Sequence, residues 1–534
     1  MTVPAERTLL AVARTVTSTG RVLDAVQLLR DDPRVQVVFT FNDTSPFSDG
    51  VSAMLRRAGA RVVPWSQLPD LRFDAVVTAS ENTELQAVEA PVLVLQHGVG
   101  FHKDLPDSRG GGRRLSGTVR AADLRGRRVL IAVTHPQQAA QLAEAEPEAA
   151  ANAVLVADPM LERMRASRLL RHRYRVALGI GDRRLVVVSS TWGQQSLIGR
   201  WPELPARLLA GLDADAYRVA TVLHPNVTSG HGGLQLRLWL GAARDAGLLM
   251  VPPDAGWQAM LAAADCVVGD HSSMSLLAAG AGVPLLLAPL AEEVVSGTPM
   301  TLLSRSARRL DIQLPLAEQV ADTISGYVTG QYAEAVDATF AVPPAARSLR
   351  ELLYELLGLP EPDEPIPLAA WPPPVPERGT ASSFAVHTRV RGRRVDVSRF
   401  PAAVRRHVAK PANGWTGHFS AGDDEWDLRM LQGAEVLSRA AVTDQPEAWT
   451  WALTALQQFP GSAMACASTA DGGVAVLRDG RRAMVIIEAG GFDVVALAAC
   501  LYALARDQRL ADGEWQVRTA RCDARVEVRL LPGL

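Results

Sequence analysis

Residues 91–103 read PVLVLQHGVGFHK, an uninterrupted apolar run that ends in a polar turn. A strand with apolar side chains on both faces, as in residues 92–95, must be covered on both sides. Such coverage is typical of a parallel sheet between two layers of helices. Because open α/β sheets bind their ligands at the carboxyl ends of strands, the turn that follows is a candidate functional position.

Other short apolar runs alternate with longer amphipathic segments around this stretch. They are TLLAVARTV (8–16), VQVVFT (35–40), RVVPW (61–65), DAVVTA (74–79), RVLIAVTH (128–135) and AVLVAD (153–158). The alternation is typical of repeated strand–helix units and predicts a Rossmann-like domain over residues 1–180. Its last segment, residues 158–179, predicts a connecting helix.

The same pattern restarts in the middle of the chain. The second set of runs is RLVVVSST (184–191), YRVATVLHP (217–225), GLLMVP (247–252), CVVGD (266–270) and VPLLLAP (283–289). These runs predict a second Rossmann-like domain over residues 181–358, closed by a helix at 344–358 that stops at Gly358. The expected fold class is therefore α/β, with two Rossmann-like domains facing a cleft.

A third unit follows a change of composition. Residues 359–380 contain eight prolines between Pro360 and Pro376, which predicts an extended linker. Beyond it, residues 381–534 predict an α+β accessory domain that begins with a hairpin at 384–400 and has a helix at about 493–507. The sequence leaves the role of this domain open.

Composition narrows the class of protein. Of 534 residues, 48% are hydrophobic and 21% are charged, and the net charge of −2 offers no overall attraction to nucleic acid. The N-terminus reads as a first strand rather than a signal peptide, which predicts a cytoplasmic protein. The four cysteines are too far apart to form a metal-ligand pattern, so neither a metal nor another cofactor is expected.

Four polar turns follow predicted strands, where ligands are expected. The first two are His97-Gly98, followed shortly by Lys103, and the run Ser190-Thr191-Trp192. A histidine in such a turn is a candidate general base, and hydroxyls with backbone N–H groups are candidate phosphate contacts. Taken alone, each turn is as compatible with loop capping as with catalysis.

The other two turns belong to the second predicted domain. His224-Pro225-Asn226 ends one strand, and Asp270-His271-Ser272-Ser273 leads from another strand into a predicted helix. The exposed N–H groups at the start of a helix, together with its dipole, favour an anion. Capping of the helix by either serine is the structural alternative.

In their order and spacing, these four motifs resemble the CDP-glycerol glycerophosphotransferases of teichoic-acid synthesis, which have the glycosyltransferase-B fold. The family's pattern has a His-Gly, a turn with Thr-Trp, a His-Pro and a Thr-Asp-Tyr-Ser-Ser helix start. The resemblance spans about residues 90–290 and does not reach the C-terminal domain. The chain differs from the family at Gly193, where an arginine is expected, and at His271, where an aromatic is expected.

The resemblance implies a transferase that moves a glycerol-phosphate or sugar group from a nucleotide-diphosphate donor to a hydroxyl acceptor. It implies that His97 deprotonates or orients the acceptor hydroxyl, while His224, Ser272 and Ser273 hold the donor phosphates. Asp270 would orient its turn. The remaining residues expected to bind substrate are Gly98, Lys103, Ser190, Thr191, Trp192, Asn226 and His271.

Two other functions stay open. A nucleotide-sugar glycosyltransferase or a 2-epimerase-like enzyme would keep the fold and the anion-binding helix. A catalytically silent nucleotide-binding protein would keep the cleft without turnover. Eight basic residues between Lys103 and Arg128 predict a mobile loop, which could guide an anionic acceptor or contact the inner face of a membrane.

Overall fold

The computed structural model describes residues 4–42, 45, 47–82, 88–106, 112–119, 124, 128–341, 343, 346–487 and 493–532. The strands of the two α/β domains are β1 (Arg7–Ala13), β2 (Val35–Phe41), β3 (Ala75–Thr78), β4 (Val92–Val94), β5 (Asp104–Pro106), β6 (Arg113–Leu115), β7 (Val129–Val133), β8 (Ala153–Ala157), β9 (Arg184–Ser190), β10 (Tyr217–Leu223), β11 (Leu249–Met250), β12 (Cys266–Gly269), β13 (Leu285–Leu287), β14 (Arg308–Arg309), β15 (Arg347–Ser348) and β16 (Glu377–Arg378).

The C-terminal strands are β17 (Ser383–Arg391), β18 (Arg394–Pro401), β19 (Thr416–Gly422), β20 (Val436–Thr443), β21 (Met464–Thr469), β22 (Gly472–Leu477), β23 (Arg482–Ile487), β24 (Gly513–Arg518) and β25 (Asp523–Leu531). The helices are α1 (Val16–Val26), α2 (Val51–Arg57), α3 (Pro136–Ala145), α4 (Pro147–Ala150), α5 (Met160–Leu169), α6 (Arg171–Leu178), α7 (Leu197–Arg200), α8 (Leu204–Gly211), α9 (Pro225–His231), α10 (Gly233–Trp239), α11 (Gly241–Asp245), α12 (Trp257–Ala263), α13 (Ser273–Gly280), α14 (Pro299–Ser306), α15 (Leu316–Ser325), α16 (Ala333–Phe340), α17 (Leu349–Leu357), α18 (Leu428–Gly433), α19 (Gln445–Gln458) and α20 (Val494–Arg506).

The first sheet is parallel and runs in the order β15-β8-β7-β4-β3-β1-β2. Its central strands are buried on both faces, and Leu9, Leu10, Leu93 and Val77 are fully inaccessible. This burial explains why their sequences are continuously apolar rather than alternating. The strand expected at RVVPW (61–65) does not form. Val62 makes an isolated β-bridge to Phe39, and Pro64 precedes a 3₁₀ helix at Trp65–Asp70.

The second sheet repeats this design. Its order is β14-β13-β12-β9-β10-β11-β16, and every pairing is parallel except the last. The central strand β9 is fully buried over residues 185–188. The expected mixed α/β architecture with parallel sheets is confirmed.

The two halves exchange helices. Leu161 and Met164 of α5 and Tyr174 of α6 belong to the core of the second sheet, although the sequence placed them at the end of the first domain. In return, Leu352 and Leu353 of α17 pack into the core of the first sheet rather than closing the second. An amphipathic pattern shows that a helix has a buried face but does not show which sheet that face covers.

The C-terminal unit is a closed nine-stranded barrel in the order β17-β18-β24-β25-β23-β22-β21-β20-β19. The expected hairpin is present as the antiparallel pair β17–β18. The expected late helix is α20, which packs against β17–β22 and β24 and is almost entirely buried. The α+β expectation is therefore correct in its elements but lacked the closure of the strands into a barrel.

The barrel is fastened to the second α/β domain. Strand β16, within the expected proline-rich linker, extends the second sheet by pairing antiparallel with β11. Val404, next to the barrel's second strand, packs into the second domain's core. Arg399 of β18 forms a bidentate pair with Asp215, with N–O distances of 2.9 and 2.7 Å. The linker is thus packed against the protein rather than free.

Candidate active site between the two α/β domains

The polar turns of the two domains meet at the carboxyl ends of their strands. The backbone N–H of Val99 donates to Ser273 Oγ at 3.0 Å, and Lys103 Nζ donates to Thr191 Oγ1 at 2.8 Å. A Cβ atom at Gly98 would lie 2.7 Å from Ser273 Oγ, closer than such atoms normally approach. Glycine at this position therefore allows the first domain to contact the start of α13.

A second set of contacts joins the same loop to the second domain. Lys103 forms an antiparallel bridge with Val294, and the N–H of Asp104 donates to the Glu293 carbonyl at 2.8 Å. His102 is buried, and its Nε2 lies 3.1 Å from the carbonyl of His271. These contacts fix the position of Lys103 in the site.

His97 is paired with a carboxylate that the sequence analysis did not single out. His97 Nδ1 lies 3.5 Å from Glu81 Oε2, and the other oxygen of Glu81 lies 3.2 Å from the Arg114 guanidinium. Desolvation lowers the pKa of His97, but the Glu81 carboxylate outweighs it and raises the pKa above its usual value. Burial works against ionisation of Glu81, yet His97 and Arg114 lower its pKa to about 2.

This pairing gives His97 the arrangement of a general base. A proton on Nδ1 faces the carboxylate, which leaves the lone pair of Nε2 for a substrate hydroxyl. The side chain is 37% exposed, so a hydroxyl acceptor can reach it. Contacts of this kind are often long in unliganded proteins and shorten when substrate binds.

His224 has the opposite hydrogen-bonding arrangement. Its Nδ1 accepts the backbone N–H of Asn226 at 3.1 Å, capping α9, so the ring proton is assigned to Nε2. Burial, together with the positive charges of Lys103 and His97, lowers the pKa of His224 to about 3. His224 is therefore a neutral ring that presents an N–H donor. Asn226 contributes its backbone N–H to this orientation.

Lys103 lies between acidic groups of the second domain. Burial lowers its pKa, while the nearby Asp270 and Glu293 act in the opposite direction. Its Nζ lies 3.7 Å from Glu293 Oε1, and the same oxygen is 2.7 Å from His271 Nε2. The hydrogen bond from His271 is the largest influence lowering the pKa of Glu293. His271 thus acts on the site through Glu293.

Asp270 organises the turn after β9. Its Oδ2 accepts the backbone N–H groups of Thr191 and Leu197, both at 2.9 Å, and lies 3.3 Å from Ser190 Oγ. The carboxyl is buried, and these contacts replace the water lost from Oδ2, whereas Oδ1 is buried without a hydrogen-bond partner among the described residues. Ser190 in turn accepts from the Ile198 N–H at 3.0 Å. Asp270 Oδ2 and Ser190 Oγ thus hold the turn in place.

The two serines at the start of α13 differ. Ser273 Oγ is engaged by the Val99 N–H, whereas Ser272 Oγ is buried and has no hydrogen-bond partner among the described residues. A buried hydroxyl without a partner is costly unless a ligand satisfies it. Ser272 is the residue before the helix, where N–H groups and the helix dipole favour an anion.

Trp192 completes the rim of the site. Its ring centroid lies 5.4 Å from that of Phe47 in the first domain and 6.5 Å from that of His224. The side chain is about one-third exposed, and the residue that follows, Gly193, has a φ of +90°. A left-handed residue here turns the chain sharply, which leaves the indole at the edge of the site.

Sequence reasoning missed Glu81, Glu293 and Phe47. All three stand in loops without a periodic pattern, and their roles arise from packing between segments that are distant in the chain. The one available signal was position, because Glu81 follows shortly after a buried strand end. No such signal marks the other two residues.

The basic loop is only partly described. Among its basic residues with described positions, Arg113 pairs with Asp104, Arg114 with Glu81 and Arg128 with Glu355. Arg109, Arg120, Arg125 and Arg127 lie outside the described residues. Contact of this loop with an anionic acceptor or a membrane stays a prediction.

The part of the chain that the structure describes contains no cluster of three or more His, Cys, Asp or Glu residues placed to hold a metal ion. Within the same residues, every helix is too short or too polar to cross a membrane.

Comparison with known proteins gives distant similarities only. No family model matches the chain, and no curated protein matches it. A structure of the wall teichoic acid polymerase TagF is 11% identical in sequence to this chain. The match covers 67% of this chain and 89% of the TagF chain, with a TM-score of 0.44. MurG from Acinetobacter baumannii is 12% identical, with coverages of 66% and 99% and a TM-score of 0.35.

A putative UDP-N-acetylglucosamine 2-epimerase from Listeria monocytogenes is 11% identical, with coverages of 68% and 99% and a TM-score of 0.40. Similarities at this level carry no conclusion about activity. The strand order and pairing of the two sheets define the fold.

Proposed function

We propose that the protein is a transferase that moves a glycerol-phosphate or sugar group from a nucleotide-diphosphate donor to a hydroxyl acceptor. The observation that carries the proposal is the pair of histidines with opposite arrangements. His97 is set beside Glu81 as a proton acceptor, and His224 is held neutral as an N–H donor. A group-transfer reaction needs one group of each kind.

In the proposed reaction, His97 Nε2 takes the proton of the acceptor hydroxyl as its oxygen attacks. For a CDP-glycerol donor, the new bond joins this oxygen to the β-phosphorus. The bond from that phosphorus to the bridging oxygen breaks, and CMP leaves with the bonding electrons. Such a transfer depends mainly on positioning and on neutralising phosphate charge.

Charge on the phosphates would be met from both domains, by Lys103 of the first and by groups of the second. Lys103 supplies a cation, His224 Nε2 and Ser272 Oγ supply hydrogen-bond donors, and the start of α13 supplies N–H groups. These groups belong to separate elements that converge on one edge of the site. Their number and polarity suit a diphosphate better than a neutral ligand.

The particular donor and acceptor belong to the same proposal. We take the acceptor to be the hydroxyl of a cell-envelope polymer or a natural product, handled in the cytoplasm or at the inner face of the membrane. Trp192 at the rim would border the nucleotide.

A panel of donors tests the proposal. The protein is incubated with CDP-glycerol, UDP-sugars and dTDP-sugars together with a polyol-phosphate acceptor, and the released nucleotide is separated by chromatography. Release of CMP from CDP-glycerol is the expected result, and it should disappear in His97→Ala. Release of UDP or dTDP would assign a nucleotide-sugar enzyme instead. Tight nucleotide binding without turnover would reject catalysis and leave a binding protein.

A further inference from the structure

A second cavity lies between the second α/β domain and the barrel. Its volume is about 210 Å³, and it is lined by Arg183, Arg218, Arg399, Arg521, Asp215 and Asp493, together with apolar side chains. Arg183 and Arg218 stand at the amino-terminal ends of β9 and β10. The candidate active site lies at the opposite ends of these strands, and seven residues of strand span roughly 20 Å. The cavity is therefore a separate place in the molecule.

The charges that line the cavity do not cancel. Both aspartates are engaged by Arg399, which pairs with Asp215 at 2.7 Å and with Asp493 at 2.5 Å. Arg399 thus occupies both carboxylates that line the cavity. The other three arginines, Arg183, Arg218 and Arg521, have no lining carboxylate left to pair with. The cavity thus keeps an excess of positive charge.

None of those three arginines has a carboxylate partner among the described residues. Arg183 donates only to the carbonyls of Ile180 and Gly179, at 3.0 and 3.1 Å. The Nε of Arg218 is buried and makes no hydrogen bond within the described chain. Arg521, on the turn between β24 and β25, is exposed and lies at the edge of the cavity.

The surroundings of Arg183 and Arg218 disfavour their charged forms. Burial, followed by the charges of Arg218 and Arg521, lowers the pKa of Arg183 to about 10. Burial and the nearby Arg378 also lower the pKa of Arg218. Uncompensated cations gathered in a partly buried cavity are stabilised when an anion enters, and guanidinium groups match phosphate oxygens with paired N–H donors.

We infer that this cavity is a binding site for a compact phosphate-bearing anion, distinct from the proposed nucleotide site. Its volume is below the about 300–1,000 Å³ of pockets that hold drug-sized ligands, so a small phosphate fits better than a whole nucleotide. The ligand would contact both the second α/β domain, through Arg183 and Arg218, and the barrel, through Arg521. Its binding would therefore tighten the attachment of the barrel.

Inorganic pyrophosphate is the probe for this site, titrated calorimetrically into the full chain. We expect saturable binding that weakens at least about tenfold in Arg218→Gln and in Arg521→Gln, since each removes a charge-assisted contact. Arg173→Gln, at an exposed arginine outside the cavity, is the matched control and should bind like the wild type. Lys103→Gln separates the two sites, because it alters the proposed nucleotide site and should leave this binding in place.

A melting curve without ligand distinguishes binding from a structural role. Loss of the unpaired Arg218 cation should leave the melting temperature unchanged or raise it, and pyrophosphate should raise it only in proteins that keep the cavity. The inference is overturned if the wild type does not bind pyrophosphate, if Arg521→Gln binds as the wild type does, or if Lys103→Gln alone removes binding. Arg521 is exposed, so its variant tests the site even if Arg218→Gln does not fold.

Discussion

The second α/β domain has two interfaces, and they are built differently. Towards the first domain, it makes hydrogen bonds from single polar groups, such as Val99 to Ser273 and Lys103 to Thr191. Towards the barrel, it pairs with β16 of the linker, shares an apolar core through Val404 and forms the buried ion pair Arg399–Asp215. The first interface can exchange its partners for those of a ligand, whereas the second loses buried contacts if it opens.

The two interfaces therefore have different expected roles: the first holds the candidate catalytic groups, and the second attaches the barrel. Groups at the interface with the first domain include His97 and His224, with opposite hydrogen-bonding arrangements, and the buried, unpartnered hydroxyl of Ser272. Groups at the barrel interface are mostly satisfied by one another, apart from the arginines that line the second cavity. Substitutions at the first interface should therefore change turnover, and substitutions at the second should change stability.

The largest expected effect is that of His97→Ala at the first interface. Loss of the general base should lower kcat by about 10²–10⁴-fold, while the donor dissociation constant and the melting temperature stay near wild-type values. Turnover assays and calorimetric titration of the donor measure the two quantities. His231→Ala, at an exposed histidine at the end of α9, is the control. A matching loss of donor affinity would contradict the assigned role.

Arg399→Met should give the next largest effect, at the second interface. The change leaves the buried Asp215 without its cation, which should destabilise the protein by about 3–5 kcal/mol, while the half-exposed Asp493 is solvated instead. Urea unfolding followed by tryptophan fluorescence measures this change. Arg429→Met breaks an ion pair with Asp427 whose arginine is 89% exposed, so its unfolding midpoint should not move. Equal midpoints for the two variants would remove the contrast between the interfaces.

Glu81→Gln should have an intermediate effect on turnover and a distinctive effect on its pH dependence. His97 must be unprotonated to accept a proton, so kcat/KM rises with pH through the pKa of His97. Glu81 raises that pKa, and without this carboxylate desolvation and the charges of Lys103 and Arg114 lower it. In this variant, the rise of kcat/KM with pH should therefore occur at lower pH. The value of kcat/KM at the plateau should be about 10–100-fold below that of the wild type. A rise that stays at the wild-type pH would show that Glu81 does not act on His97.

The smallest expected effect distinguishes the adjacent serines. Ser272→Ala removes a hydroxyl that is free for a phosphate and should weaken donor binding about tenfold. Ser273→Ala removes only the acceptor of the Val99 N–H and should change donor affinity less. Donor titrations of the two variants provide the comparison, each serving as the control for the other. Equal losses would mean that both hydroxyls contact the phosphates.

Much of the fold could be predicted because a strand that is buried on both faces has a recognisable local sequence. Strands such as Leu185 to Val188 are continuously apolar since helices cover both sides of the sheet. The closure of the barrel has no such local sequence pattern. It depends on pairings between distant strands, such as β18 with β24 and β17 with β19, which alternating residues do not specify.

The candidate site divides in the same way. Its histidines and serines stand directly after strands, where the fold class itself predicts ligands. Glu81 and Glu293 acquire their roles only when loops from different parts of the chain pack together. The sequence likewise suggested one role for Ser272 and Ser273, whereas the structure gives their hydroxyls different surroundings.

The exchange of helices between the two sheets has a consequence for synthesis on the ribosome. The first sheet acquires β15 and α17 only after residue 357 has been made, although its other strands end at Ala157. Nascent chains shorter than this should therefore expose the apolar surface that α17 later covers, including part of the core around Leu9 and Phe39. The N-terminal half cannot finish folding first, and its maturation waits for the second domain to be translated.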